Sequence, residues 1–185
     1  MKKVVVLPSM KYLIVGFFAL LSANQFFAQN ASVYELFEQD FQNTSQVSSK
    51  SVSKSTTYSK SSLDVREGFF NLKRDLKPTI YVTNNKITKV SGNSTPLILK
   101  YENSYSLEII NKNSSLIKNV ELLTIKLKNQ EDLVNRLDFS TVTDFNNLKY
   151  IYIQCNFKCT ASQLSSFILN VDPRVTIFYM INNPS

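Results

Sequence analysis

Cys155 and Cys159 are the only cysteines in this 185-residue chain, and three residues separate them. In an oxidising compartment two thiols this close bridge readily, provided a turn brings their Cα atoms within about 7 Å. The spacing predicts a structural disulfide that pins the loop after Gln154. A redox-active pair of the common kind has two intervening residues, and a structural zinc site needs further ligands. Neither is expected: the spacing does not fit the first, and in a chain without histidine two thiolates leave the second half built. The same absence removes the commonest general base and every Ser–His–Asp or Cys–His arrangement. Three glycines, Gly16, Gly68 and Gly92, are too scattered for a phosphate-cradling loop or a dinucleotide fingerprint. No cofactor, metal or enzymatic activity is therefore expected. The hydrolytic chemistry left open would use a Ser–Lys pair or carboxylates such as Glu121, Glu131 or Asp132.

The elements that must position these residues announce themselves by an echo. Ile125, Ile151 and Ile177 recur every 26 residues, as do Leu127, Ile153 and Tyr179, and Gln130, Asn156 and Asn182. Three strands are predicted near 122–128, 148–154 and 174–180. The connecting pieces carry Leu133, Leu137 and Phe139 in one case and Leu164, Phe167 and Ile168 in the other, at spacings that fit short helices. Strand, crossover and strand at this length imply parallel neighbours. Side chains alternate between the faces of a sheet, so Ile125, Leu127, Ile151, Ile153, Ile177 and Tyr179 face inward. The opposite face gathers Lys126, Lys128, Tyr150, Tyr152, Gln154 and Phe178. Exposed, they form a recognition surface: aromatic rings offer contact area at low entropic cost, and lysines favour acidic partners or glycans. Covered by the segment 63–78 or by another subunit, the aromatics become core.

Upstream, residues 79–110 alternate as three or four strands read as antiparallel, with Asn84-Asn85 as a hairpin turn. Residues 63–78 carry Leu63, Val65, Phe69, Phe70, Leu72 and Leu76 at a spacing that fits a short helix or an extended lead-in. Residues 29–43 suit a short amphipathic helix capped by Ser32. The Ser/Thr-rich stretch 44–62 buries too little apolar surface to offset its ordering entropy and reads as a disordered linker. The first 28 residues read as a secretory signal: Lys2, Lys3 and Lys11 precede or open an apolar run, Tyr12 to Ala23, too short to span a bilayer. Cleavage is expected after Ala28, with Ala23 as the alternative. Export to a bacterial periplasm, surface or medium follows, with no membrane span left after cleavage. Losing three lysines and no acids lowers the net charge from +7 to +4. Spread along the chain, that excess makes no nucleic-acid patch. Residues 63–185 are expected to form a single domain.

LKYIYIQCN, residues 148–156, is similar to the leucine-rich-repeat consensus through Leu148, Ile151, Ile153 and Asn156. LLTIKLKNQ matches through Leu122, Ile125, Leu127 and Gln130. In the third copy Ile177, Tyr179 and Asn182 fit, while Arg174 occupies the first leucine place. The resemblance covers about residues 119–182. It implies an α/β fold, a short leucine-rich-repeat-like stack of parallel strands with an amide ladder, preceded by an antiparallel β-hairpin region. A compact α+β domain is the alternative. Proteins of that family mostly bind macromolecules, so the expected function is secreted, non-enzymatic binding of a protein or glycan. A structural or assembly role in the cell envelope, and carboxylate hydrolysis, are the alternatives. An open parallel edge at the last strand invites self-association.

Overall fold

The structure is a computed structural model that describes residues 31–42, 60–102, 114–142 and 145–182. The expected export signal and most of the expected linker lie outside the described residues. From the N-terminus the chain forms β1 (Val33–Glu35), α1 (Glu38–Gln42), α2 (Lys60–Arg74), β2 (Thr79–Thr83), β3 (Lys86–Ser91), β4 (Ile98–Tyr101), α3 (Ser114–Ile117) and β5 (Leu122–Leu127). Then follow β6 (Leu137–Asp138), β7 (Tyr150–Cys155), α4 (Ala161–Phe167), β8 (Ile168–Leu169) and β9 (Thr176–Ile181), with single turns of 3-10 helix at Gln130–Val134 and Phe139–Thr141. No described helix is long and apolar enough to cross a membrane.

Seven strands make one sheet in the order β1-β9-β7-β5-β4-β2-β3. All neighbours are parallel except β2 and β3. That pair is the expected hairpin: Asn84 and Asn85 adopt φ of 50° and 55°, the left-handed pair that a tight two-residue turn requires and that asparagine tolerates. The expectation of an antiparallel run through residue 110 is corrected at β4. After the hairpin the chain passes back over β2 and sets β4 parallel to both β2 and β5.

The three repeat strands lie side by side, but the uniform 26-residue period does not carry across them. Ile151 stands opposite Ile177, as the period requires, whereas its partner on β5 is Leu123 rather than Ile125. The slip is two residues. Because side chains alternate with a period of two, it leaves every residue on its expected face. Ile125, Leu127, Ile151, Ile153, Ile177 and Tyr179 all enter one core, closed by Leu137, Phe139, Leu164, Phe167 and Ile168 from the crossovers. The amide ladder is present at two places only. Asn182 Nδ2 donates to Asn156 Oδ1 at 3.2 Å, while Gln130 opens an exposed 3-10 turn capped by Asn129.

The other face of the sheet is covered by α2, which places Val65, Phe69 and Leu72 on one stripe at i, i+4 and i+7. Phe69 is fully buried, with Phe70 and Leu72 beside it. Residues 31–42 belong to this domain too, which moves its boundary upstream of 63. The expected N-terminal helix is replaced by β1 and the short α1. β1 pairs in parallel with β9, Leu36 N–H donates to the Tyr179 carbonyl at 2.7 Å, and the Leu36 side chain is 1% exposed. β9 is therefore an interior strand, and its edge is not open for self-association.

Candidate functional site

Tyr150, Tyr152 and Phe178 keep 8%, 1% and 1% of their accessible surface, so they are core and not a recognition patch. The cause is α2: Phe69 sits with its ring centre 4.6 Å from Phe178, 5.3 Å from Tyr152 and 6.0 Å from Tyr150. The fit is close enough that a Cβ at Gly68 would collide with the Tyr150 hydroxyl. Burial pushes the Tyr152 phenol up to about 12. Of the other expected binding residues, Gln154 and Lys126 are half-buried on the same face and Lys128 is exposed, its backbone N–H donating to Asp132 Oδ2 at 2.6 Å.

Where α2 ends, the face opens into a cavity of about 520 Å3. Its walls carry four lysines, Lys73 and Lys77 from the end of α2 and beyond, Lys89 from β3 and Lys100 from β4, around the ring of Tyr81 on β2. Tyr81 is cross-strand partner to both Lys89 and Lys100, whose ammonium groups lie 5.7 and 5.6 Å from its ring centre. Lys77 pairs with Asp75 at 2.9 Å and Lys100 with Glu102 at 2.8 Å. Lys73 and Lys89 have no carboxylate partner among the described residues. The Lys73 ammonium instead lies 4.7 Å from the centre of the Tyr152 ring. Burial, and then the charge of Lys100, hold its pKa below the ordinary lysine value of 10.5. A partly desolvated cation beside a second cation is electrostatically strained. An anion placed among these lysines relieves that strain.

A second cleft, about 600 Å3, lies beside the segments that lead into β7 and β9, between Phe139, Phe145, Leu148, Val175 and their polar neighbours. Its cations are already neutralised. Arg174 is chelated by Asp172 at 2.6 Å, a contact that holds the Asp172 carboxyl at about 2, and Lys149 pairs with Glu121 at 3.0 Å. This difference in satisfied charge singles out the lysine groove.

The carboxylates considered for hydrolysis do not converge. Glu121 precedes β5 and Glu131 and Asp132 follow it, so a six-residue strand separates them by about 20 Å. Among the described residues no three His, Cys, Asp or Glu side chains group as metal ligands. Cys155 and Cys159 are brought together as expected, both buried and in side-chain contact, but they are free thiols and not a bonded pair. Burial pushes both thiols up.

The groove was missed from the sequence because its residues come from four separate elements. The strand pattern over 79–110 assigned no face to Tyr81, Lys89 or Lys100. Tyr81 meets Lys89 across the hairpin, and the pairing of β2 with β4, which skips the intervening β3, brings Lys100 beside them. No family model, curated protein or solved structure matches the chain.

Proposed function

We propose that the protein is an exported, non-enzymatic binding protein that holds an acidic ligand in the lysine groove. The observation that carries this reading is Lys73, a half-buried ammonium with no carboxylate partner among the described residues, set between the Tyr152 ring and Lys100 at a cavity wall. Lysine is a compact point charge suited to carboxylate, sulfate or phosphate oxygens. With Lys77 and Lys100 paired to carboxylates, Lys73 and Lys89 are the cations that draw an incoming anion to this concavity. The leucine-rich-repeat likeness of residues 119–182 points the same way, since that family mostly binds macromolecules. In an oxidising compartment, exchange with an external disulfide would bridge Cys155 and Cys159 across the loop that follows β7 and release that disulfide as two thiols.

Retention on immobilised polygalacturonate, with neutral dextran as control, tests the reading. The protein should be retained on the acidic polymer alone, release as salt screens the contact, and lose retention in the Lys89→Glu, Lys100→Glu double variant. Equal retention on both polymers, or undiminished retention of a folded double variant, rejects the groove as the site.

A further inference from the structure

Lys73 lines more than the cavity among the lysines. The same side chain lines a second cavity of about 410 Å3, whose walls include Phe41, Gln42, Tyr152, Gln154 and Met180. Two register rows run beneath both cavities, with Thr124 and Tyr152 buried in the first. Tyr81, Lys100, Thr124 and Tyr152 stand abreast on β2, β4, β5 and β7, and Lys126, Gln154 and Met180 follow on β5, β7 and β9. From β2 to β9 is four interstrand spacings, about 19 Å, longer than any single carboxylate, sulfate or phosphate group.

The halves differ in chemistry. The first carries Lys89 and Lys100, the Lys77–Asp75 pair and the shared Lys73. Beyond Lys73 the second offers two glutamine amides, the Met180 thioether, aromatic surface and the carboxylate of Glu38. A compact anion fills only the first half. A uniformly charged polymer sets negative charge against Glu38 in the second. A ligand with one acidic unit and an adjoining neutral, hydroxyl-rich unit matches both.

Resting on the binding function above, we propose that the ligand is an oligosaccharide with an acidic sugar placed among Lys73, Lys89 and Lys100 and a neutral sugar alongside Gln42, Gln154 and Met180. Each glutamine amide both donates and accepts, as sugar hydroxyls require. Phe41 and Met180 provide apolar contact for the C–H face of the ring.

Titration of the isotope-labelled protein with glucuronate, cellobiose, the disaccharide of glucuronate linked to glucose, and hexa-aspartate tests this by chemical-shift changes. The acidic disaccharide should bind about tenfold more tightly than glucuronate, and cellobiose should not bind detectably. Gln42→Ala with Gln154→Ala should remove that gain and leave glucuronate binding intact, while Lys89→Glu with Lys100→Glu should weaken both acids. If glucuronate binds but the disaccharide binds no better, or the glutamine variant keeps the gain, the oligosaccharide assignment fails and the acidic-ligand reading stands. Tighter binding of hexa-aspartate than of the disaccharide makes the groove a peptide site and likewise overturns the assignment. If none of the acids binds, both readings fall.

Discussion

The ammonium of Lys73 lies 4.7 Å from the centre of the Tyr152 ring, so the last turn of α2 holds a cation over the aromatic core and at the wall of an open cavity. The ring attracts that cation by about 0.5–2 kcal/mol. Burial and the neighbouring Lys100 act against it.

Lys73→Met preserves the stem and removes the charge. It should raise or leave unchanged the melting temperature and weaken retention on polygalacturonate about tenfold. In the parent protein, affinity for an acidic ligand should fall as pH rises through the lowered Lys73 pKa, before the ordinary lysine value of 10.5. A variant that melts several degrees lower and binds as well as the parent would show Lys73 to be structural.

Tyr152→Ala and Phe178→Ala should each destabilise the fold by about 3–5 kcal/mol, the usual cost of emptying an aromatic core position. Lys126→Ala and Lys128→Ala should stay within about 0.5 kcal/mol. Urea unfolding curves measure both. Small losses for the aromatic pair would mean that α2 does not cover this face.

Gly68→Ala sets a methyl group against the Tyr150 hydroxyl and should cost about 1–3 kcal/mol, despite the better helix propensity of alanine. Tyr150→Phe removes the obstructing oxygen, and the nearest remaining ring carbon lies 3.4 Å from the added Cβ. The double variant should recover much of the loss. Strictly additive energies in the four-variant cycle would refute the close contact.

Alkaline stability should follow the buried phenols. Tyr152 and Tyr179 are raised from 10.0 to about 12, chiefly by burial, so the folded state favours their neutral forms. The unfolded chain ionises near pH 10. Stability is therefore complete below pH 10 and lost as pH rises from about 10 to 12. Urea midpoints measured against pH should show that decline, and Tyr152→Phe should lessen it. An unchanged pH profile in the Phe variant argues against a buried Tyr152 phenol.

Removal of residues 29–42 should uncover the β9 edge. Leu36 and the β1 pairing shield that edge, and an unpaired parallel edge recruits other strands. Light scattering should show association that the full chain lacks. A truncated chain that stays monomeric and equally stable would mean β1 is dispensable.

Alternation and spacing carried much of this fold. Period-two patterning sorted Ile151 and Ile153 from Tyr150 and Tyr152 onto opposite faces, and the Asn84-Asn85 pair marked its hairpin, because both signals are local backbone properties. The two-residue slip of β5 against β7 was not legible, since pairing register depends on crossover length and packing rather than on matching letters. Nor was β1, whose three residues carry too little pattern to separate a strand from an amphipathic turn.

For the site, residue types alone determined what was absent and which way each strand side chain would point. The lack of histidine withdrew the commonest catalytic arrangements, and outward Tyr and Lys positions carried a preference for acidic partners. Whether those outward residues met solvent was decided only by tertiary structure. Seating α2 on the sheet turned Tyr150, Tyr152 and Phe178 into core. Pairing β2 with β4 gathered Lys89, Lys100 and Tyr81 beside Lys73. Burial and charge clustering are sums over neighbours distant in sequence, and no single segment records who those neighbours are.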